Sequence, residues 1–237
     1  MTRRRWIADE VSGDRAALVG SHAQHLARVL RAEVGQSFDL ITGDSVRRGH
    51  IISVRDDRVD FALGEEVTSS LLPDVGLLLA IFKFDRMEWA VEKCTELGVA
   101  RILPVIARRT DTHLGSAAGK RAERWRRIAQ QASEQSRRAS IPQISEPASL
   151  RTVVTDQADH KIVLSEAEKE ISLRNALESY RSQQSVLLAI GPEGGWTEEE
   201  LSLFAANGWI LASLGESILR AETAAIAATA IAISALS

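Results

Sequence analysis

Two glycine-containing loops near the end of the sequence carry charged side chains that could bind a ligand or take part in chemistry. Glu193 lies within the first loop, residues 191–195 (GPEGG), and Arg220 and Glu222 lie in the second, residues 215–222. The first loop lacks the lysine with which a P-loop meets phosphate. A carboxylate there disfavours a polyphosphate and suits a neutral or cationic ligand better. In the second loop charged residues stand beside apolar ones, which favours a binding site over an ordinary turn.

Two buried strands are predicted to position these loops. Residues 186–190 and 209–214 form apolar runs with the length and composition of buried strands. Thr197, with Glu200 three residues later, is a capping box that predicts the start of a helix after the first loop. An alanine-rich helix follows the second loop. Because ligands bind at the carboxyl ends of the strands in open α/β sheets, we expect both loops to form one site.

The remainder of the chain divides into a β-rich part and an α/β part. Residues 1–70 contain short alternating segments, including a predicted hairpin around residues 56–57. From residue 75 onward strands alternate with helices, which is typical of a parallel sheet. The polar segment 64–70 is the predicted linker. We therefore predict two domains, residues 1–70 and 74–237.

Several helices are predicted from capping pairs and from apolar spacing. Ser21 with Gln24 predicts one helix start, and Asp85 with Glu88 predicts another. A long helix is predicted over residues 119–138, with its arginines facing outward.

The region around that long helix is basic. Between residues 101 and 138 there are ten Lys or Arg against three Asp or Glu, a local charge of +7. Such a segment can contact phosphates, or it can be a solvated helix face, and taken alone it is better explained as the solvated face.

The composition limits the classes of protein to which this chain can belong. The chain has 237 residues, 45% apolar and 26% charged, which is ordinary for a globular protein with a proper core. Its single cysteine, Cys94, excludes a disulfide framework and a cysteine-based zinc site. His22 and His25 share a helix but have no third ligand nearby, so no metal is predicted. The N-terminus does not resemble a signal peptide, and the most apolar segment, residues 224–236, is too short to cross a bilayer. We expect a soluble cytoplasmic protein.

Six motifs occur in order along the chain and are specific in combination. They are KFDRME at residues 83–88, KCTELGV at 93–99, Pro104, EQSRR at 134–138, IGPEGG at 190–195 and LGxxILRxET at 214–223. With VLR at residues 29–31 and VG at 34–35, they resemble the ribosomal RNA small subunit methyltransferase E family, and the resemblance spans the chain. One departure is Ser136-Arg137, where the family more often has Cys-Gly; this difference concerns RNA contacts more than cofactor contacts.

The resemblance implies a fold and a reaction. The fold is α/β, a SPOUT-type parallel sheet with a C-terminal trefoil knot, plus an N-terminal PUA-like β-barrel. The reaction is methylation of a uridine N3 in 16S ribosomal RNA of the small subunit, with S-adenosyl-L-methionine as donor. The family also implies a homodimer. The cofactor-binding residues implied are Leu164, Ser165, Ile190, Gly191, Pro192, Glu193, Gly194, Gly195, Leu214, Gly215, Ile218, Leu219 and Arg220.

Catalytic roles follow from what this reaction requires. As the N3 proton leaves, charge spreads onto the base carbonyl oxygens, and Arg220 is suited to stabilise it. Glu222 or Glu193 could accept the proton, directly or through water. Two other interpretations stay open: in one, Glu193 caps backbone N–H groups, and in the other, Arg220 pairs with Glu222 structurally. The expected RNA-binding residues are Arg3, Arg4, Arg28, Arg31, Lys83, Arg86, Lys93, Arg124, Glu134, Gln135 and Arg138.

Three other functions are weighed against this one. A related enzyme could modify another RNA position, such as a ribose 2′-hydroxyl. A non-catalytic ribosomal RNA-binding assembly protein could keep the same fold. An NAD-dependent enzyme is disfavoured, because no GxGxxG follows a strand.

Overall fold

The computed structural model describes residues 5–43, 45–67, 73–136, 138, 140–180 and 184–236 of the chain. These residues divide into two units, the first formed by the chain up to residue 71 together with 133–140, the second by 72–132 together with 141–237. Of the predicted linker, residues 64–66 belong to a strand, and residues 68–70 lie outside the described part.

The first unit is built on a six-stranded sheet. Its elements are β1 (Arg5–Ile7), β2 (Glu10–Ser12), β3 (Arg15–Val19), α1 (Gly20–Gln24), a π-helical turn (His25–Val29), β4 (Ser37–Ile41), β5 (Val46–Val54) and β6 (Arg58–Glu66). The strand order is β1-β4-β5-β6-β3-β2, in which the β1–β4 pair is parallel and the other pairs are antiparallel. Strands β5 and β6 form the predicted hairpin. The fully buried Leu18, Leu40 and Phe61 belong to the core of this unit.

The first helix differs from its prediction at both ends. α1 begins at Gly20 without a side-chain cap hydrogen bond, so the capping box predicted for Ser21 and Gln24 is wrong. Gly20 has φ +57° and turns the chain directly after β3, which puts Ser21 inside the first turn instead of before it. The helix then widens into its π turn and is followed by Arg31, whose φ is +50°. A π turn is uncommon and often marks a functional segment.

The second unit has an α/β pattern. Its elements are β7 (Asp74–Ala80), α2 (Phe84–Leu97), β8 (Arg101–Ile106), α3 (Thr112–Ala117), a 3₁₀ turn (Ala118–Arg121), α4 (Ala122–Ser136), β9 (Gln143–Ile144), β10 (Ala148–Ser149), α5 (Leu150–Val153), β11 (His160–Leu164), α6 (Leu173–Ala176), β12 (Ser185–Ile190), α7 (Glu198–Ala206), β13 (Ile210–Ala212) and α8 (Ala221–Leu236). The sheet order is β10-β8-β7-β12-β11-β13, with β9 also paired to β8. Every one of these strand pairs is parallel, as predicted from the alternating pattern.

Both faces of this parallel sheet are covered. Along β7, Leu77 and Leu79 belong to one apolar cluster, whereas Leu78 and Ala80 belong to another. Successive side chains of a strand point to opposite faces, so the two clusters lie on the two sides of the sheet. This explains why the central strands read as continuous apolar runs instead of alternating ones.

Two helices of this unit begin at other residues than predicted. α2 begins at Phe84 with Lys83 at the N-cap position and no side-chain cap, so Asp85 lies in the first turn and does not cap the helix. An acidic residue in the first turn still interacts favourably with the helix dipole. The predicted end at Gly98 is confirmed by its φ of +117°. The helix predicted over 119–138 is shorter, because a 3₁₀ turn precedes α4.

The last helix packs against α2. Thr229 of α8 donates a hydrogen bond to Ala225 O at 2.7 Å and contacts Cys94 Sγ of α2 at 3.5 Å. Burial raises the pKa of the Cys94 thiol to about 12, so the thiol is neutral and unreactive at physiological pH. No helix in the described part of the chain is long and apolar enough to cross a membrane.

Candidate functional site

A cavity of about 470 Å³ opens where β11, β12 and β13 end. Strand β12 contributes its last residue, Ile190, and β11 contributes Leu164. The loops that follow the three strands form the walls, and the first residues of α8 close one side through Ala221 and Ala224. This is the edge at which the sequence predicted a site, and its size suits a ligand of several hundred daltons.

The structure brings the predicted cofactor-binding residues together. All of them except Gly194 line this one cavity: Leu164, Ser165, Ile190, Gly191, Pro192, Glu193, Gly195, Leu214, Gly215, Ile218, Leu219 and Arg220. Ile218 is 82% exposed, an unusual position for an isoleucine. An apolar side chain so exposed beside a cavity is available to cover a bound ligand.

The glycine loop after β12 is a tight turn against a tryptophan. Gly195 has φ +68° and donates a hydrogen bond to Pro192 O at 2.8 Å. A Cβ on Gly191 would stand 3.3 Å from Trp196 Nε1, so a glycine at that position lets the indole close over the loop. Trp196 is buried, and its Nε1 has no hydrogen-bond partner within the described residues.

An arginine that the sequence analysis did not single out holds this loop. Arg109 Nη1 donates to Gly194 O at 2.6 Å and to Trp196 O at 3.3 Å, and the side chain lines the cavity. It lies in the loop after β8, and therefore at the same edge of the parallel sheet. The position of Arg109 after a strand could be predicted from the sequence. Its contact with residues more than 80 positions away could not.

The predicted capping box is confirmed and has an additional partner. Glu200 Oε2 accepts from Thr197 N at 2.9 Å, and Thr197 Oγ1 accepts from Glu200 N at 3.3 Å. The other oxygen, Oε1, accepts from the backbone N of Arg108 at 2.7 Å. Glu200 is 8% exposed, so one buried carboxylate connects the start of α7 to the loop after β8.

Replacing Glu200 by glutamine should lower the free energy of unfolding by about 1–3 kcal/mol, because an amide group can accept through only one of its two ends. Urea denaturation of the variant measures the loss. Glu199→Gln is the matched control, since Glu199 is the exposed neighbour in the same helical turn. Equal stability of the two variants would show that acceptance by both oxygens of Glu200, from Arg108 N and from Thr197 N, contributes nothing.

The cavity holds charges of both signs. Glu166, Glu193 and Glu198 line it, together with Arg109 and Arg220. Glu166 lies beside the glycine loop, with Oε1 3.5 Å from the position of a Cβ on Gly195. The carboxylates favour a ligand that carries a positive charge, and the arginines favour one in which negative charge is present or develops.

The two charged residues of the second loop have different environments. Arg220 is exposed and lines the cavity, and its guanidinium has no ionic partner among the described residues, so the alternative of an Arg220–Glu222 pair is wrong. Glu222 is 3% exposed, lies outside the cavity lining, and has Arg86 Nε 3.7 Å from its Oε1. Glu222 therefore does not line this cavity, and its role as a proton acceptor stays a prediction.

The predicted RNA-binding residues of the first unit differ in availability. Arg28 is paired with Asp56 at 2.7 Å, and both side chains are largely exposed. Arg31 is exposed, at the end of the π turn. Arg138 is 6% exposed, and burial lowers the pKa of its guanidinium to about 10, so its contact with RNA stays a prediction that this burial does not favour. Gln135 is exposed and Glu134 half-buried, whereas Arg3 and Arg4 lie outside the described residues.

Most basic residues predicted to bind RNA in the second unit are paired with acids. Arg124 makes two hydrogen bonds to Glu88, at 2.6 and 2.7 Å. Lys93 contacts Glu92 and Glu96. Lys83 is exposed. The local charge of +7 is thus partly neutralised by acids from other segments, which favours the solvated-face interpretation for part of α4.

No group of three or more His, Cys, Asp or Glu side chains that could hold a metal ion occurs among the residues that the structure describes.

Comparison with known proteins agrees with this arrangement. The model of the RNA methyltransferase domain family matches residues 70–233, more than two thirds of the chain. Ribosomal RNA small subunit methyltransferase E of Synechocystis sp. is 31% identical over 218 residues, covering 90% of this chain and 71% of the relative. The chain belongs to the ribosomal RNA small subunit methyltransferase E family.

Solved structures extend the family comparison to the fold. A ribosomal RNA small subunit methyltransferase E from Neisseria gonorrhoeae, bound to S-adenosyl methionine, has a TM-score of 0.77 at 28% identity, covering 96% of this chain and 95% of that chain. A methyltransferase from Legionella pneumophila, in complex with the same cofactor, has a TM-score of 0.75 at 30% identity, covering 99% and 98%. The α/β fold with its parallel sheet is therefore the fold of this methyltransferase family.

Proposed function

We propose that this protein transfers a methyl group from S-adenosyl-L-methionine to a uridine N3 in 16S ribosomal RNA of the small subunit. The observation that carries the proposal is the cavity at the ends of β11, β12 and β13, built from the two glycine-containing loops. It is supported by relatives named for ribosomal RNA methylation, and by a family structure with S-adenosyl methionine bound.

The residues of the cavity fit this cofactor. Leu164, Ile190 and Leu214 provide apolar walls for an adenine and a methylene chain. Glu166 and Glu193 carry charges opposite to those of a sulfonium and an ammonium group. The buried, unpartnered Nε1 of Trp196 is a further donor beside the loop. When bound, the cofactor supplies an electrophilic methyl group, and the task of the protein is to hold the acceptor in line with it.

Arg220 and Glu193 have the chemistry and exposure that the transfer requires. Removing the N3 proton of uridine spreads negative charge onto the base carbonyl oxygens, which a guanidinium without another partner can stabilise. Glu193 is an exposed carboxylate in the cavity wall, so we assign it as the proton acceptor, directly or through water.

We also propose the finer features of the fold. The last strand, β13, lies at the sheet edge beside β11, yet α8 returns to pack against β7 and β12. This return of the chain across the sheet supports a C-terminal trefoil knot in a SPOUT domain of residues 74–237. The largely antiparallel six-stranded sheet supports a PUA-like barrel, residues 1–70, as an RNA-binding domain. The cytoplasm is the proposed location, because its substrate is the ribosomal subunit.

RNA contacts are proposed for exposed cations and their neighbours in both units. Arg31 and Lys83 are exposed with no ionic partner among the described residues, so they can bind phosphate without breaking an existing pair. Arg28, Lys93 and Arg124 would have to exchange a carboxylate partner for phosphate.

A homodimer is proposed through the outer side of α2 and α8. Residues 223–236 contain no charged residue, although a helix at a water-exposed surface usually has a polar side. Trp89 of α2 and Ile231 of α8 are 49% and 37% exposed. A second copy of the chain, presenting the same apolar surface, is the occupant that a two-fold axis provides.

Replacing Ile231 by aspartate should convert the dimer to a monomer, because a charge would be buried in an apolar interface. Size-exclusion chromatography with light scattering measures the mass, expected to fall from about twice the chain mass to the chain mass of 25.9 kDa. Ile171→Asp is the control, since Ile171 is 38% exposed and lies on neither helix. A dimeric Ile231→Asp protein would contradict this interface.

The test of the proposed function is transfer of labelled methyl to small ribosomal subunits that lack the modification, followed by nucleoside mass spectrometry. N3-methyluridine in the product is the expected result. A different methylated nucleoside, such as a 2′-O-methyl one, would show that the acceptor atom is not uridine N3. Cofactor binding with no transfer to subunits, free ribosomal RNA or tRNA would overturn the enzyme assignment for those substrates. Absence of cofactor binding would favour the alternative function, a non-catalytic RNA-binding assembly protein.

A further inference from the structure

We propose that Arg109 is a positioning residue that holds residues 191–196, the glycine loop, in the shape required for cofactor binding. The inference rests on the proposed function for the identity of the ligand, but the contacts themselves do not depend on it. This side chain comes from the loop after β8 and belongs to none of the six motifs described above.

The contacts of Arg109 are concentrated at one place in the glycine loop. A single guanidinium nitrogen, Nη1, donates to two carbonyl oxygens, Gly194 O at 2.6 Å and Trp196 O at 3.3 Å. The residue between them, Gly195, has φ +68°. Hydrogen bonds from a charged donor are stronger than those between neutral groups, so this pair of bonds favours the turned backbone over its alternatives.

The aliphatic part of the same side chain adds a steric contact. A Cβ on Gly194 would stand 3.3 Å from Arg109 Cδ, so the arginine stem lies directly against the glycine backbone. Gly194 is the one predicted cofactor residue outside the cavity lining, and its position against Arg109 explains this: it faces the arginine that supports the loop.

Two neighbouring residues thus tether the glycine loop and the helix after it. Arg109 binds the loop through its side chain, and Arg108 binds Glu200 at the start of α7 through its backbone N. Strand β7 lies between β8 and β12 in the sheet, so these tethers span the width of a strand. Without Arg109, the only hydrogen bond left to residues 191–196 among the described residues would be their own turn bond, from Gly195 N to Pro192 O.

The experiment compares Arg109→Ala and Arg109→Lys with Arg108→Ala. The last is a matched control, because it removes the same charge one residue away and keeps the backbone N–H that Glu200 accepts. Hydrogen–deuterium exchange of the ligand-free protein reports on residues 190–197, and calorimetric titration with S-adenosylhomocysteine reports on the cavity. Circular dichroism establishes that each variant is folded.

For Arg109→Ala we expect exchange in the glycine loop to be at least about fivefold faster and S-adenosylhomocysteine binding about tenfold weaker, the size of effect that a charged hydrogen bond produces. Arg109→Lys keeps one cationic donor, so its exchange rate and affinity should be intermediate. Arg108→Ala should have the exchange rate and affinity of the unchanged protein.

Unaltered exchange in Arg109→Ala, or an equal change in Arg108→Ala, would overturn the inference. If the unchanged protein failed to bind S-adenosylhomocysteine, the proposed function would fail, while the exchange measurement would still decide the role of Arg109. If Arg109→Ala did not fold, Arg109→Lys would decide in its place.

Discussion

Replacing Arg220 by alanine should lower kcat by about 10²–10³-fold while the Kd for S-adenosylhomocysteine changes by less than about tenfold. We expect a large effect on kcat and a small one on Kd because of the position of the side chain. Arg220 is exposed, lines the cavity, and has no ionic partner among the described residues. Its removal leaves no buried group without a partner, so the fold and the apolar walls of the cavity should persist. What is lost is the positive charge that meets the carbonyl oxygens of the deprotonated uracil. Single-turnover transfer and calorimetric titration on the same preparation measure the two quantities.

Two further variants, Arg220→Lys and Arg151→Ala, serve as comparisons for Arg220→Ala. Lysine keeps the charge without the planar fork, and we expect it to restore part of the rate. Arg151 is an exposed arginine of α5 that lies outside the cavity lining, so its loss should leave both quantities unchanged. A fully active Arg220→Ala enzyme would remove Arg220 from the mechanism. A loss of affinity as large as the loss of rate would make it a cofactor-binding residue instead.

The edge of the sheet at which the cavity lies was predictable because local chemistry determines it. Three glycines and a proline within residues 191–195 end the apolar run of β12, and parallel strands bring their carboxyl ends to one edge. The capping box of Thr197 and Glu200 involves four consecutive residues and forms as predicted. The pair at Ser21 and Gln24 has similar spacing and fails, because Gly20 turns the chain one residue earlier. Of these two pairs, the one without a competing turn beside it forms as predicted.

The contacts between distant segments were not predictable from local patterns. Arg109 and the glycine loop are separated by 85 positions, and nothing in the spacing of either segment indicates the other. Arg86 and Glu222 come together only because α2 packs on α8. The basic region illustrates the same point, since Arg124 is neutralised by Glu88 from a different helix. A sequence count of charges cannot distinguish a free guanidinium from a paired one, whereas the fold does.

Replacing Phe204 by alanine should lower the free energy of unfolding by about 3–5 kcal/mol and weaken S-adenosylhomocysteine binding as well. Phe204 is fully buried in α7, with its ring centroid 4.9 Å from that of Trp196 and 5.0 Å from that of Trp209. Trp209 is itself fixed by a hydrogen bond from its Nε1 to Val154 O at 2.9 Å. Trp196 lines the cavity, so the void left by Phe204 lies directly behind a cavity wall. Urea denaturation and calorimetric titration measure the two effects.

Trp125→Ala separates loss of stability from loss of the cavity wall. Trp125 is fully buried in the apolar cluster on the other face of the sheet and does not line the cavity. Its loss should therefore lower the free energy of unfolding by a comparable amount without weakening the binding of S-adenosylhomocysteine. If both variants bound S-adenosylhomocysteine as tightly as the unchanged protein, the position of Trp196 would not depend on Phe204. If only Phe204→Ala weakened binding, the aromatic row from Trp209 through Phe204 to Trp196 would be the means by which the core sets the shape of the cavity. Two kinds of support would then hold the glycine loop: charge from Arg109 on its carbonyl side, and packing from Phe204 behind its tryptophan.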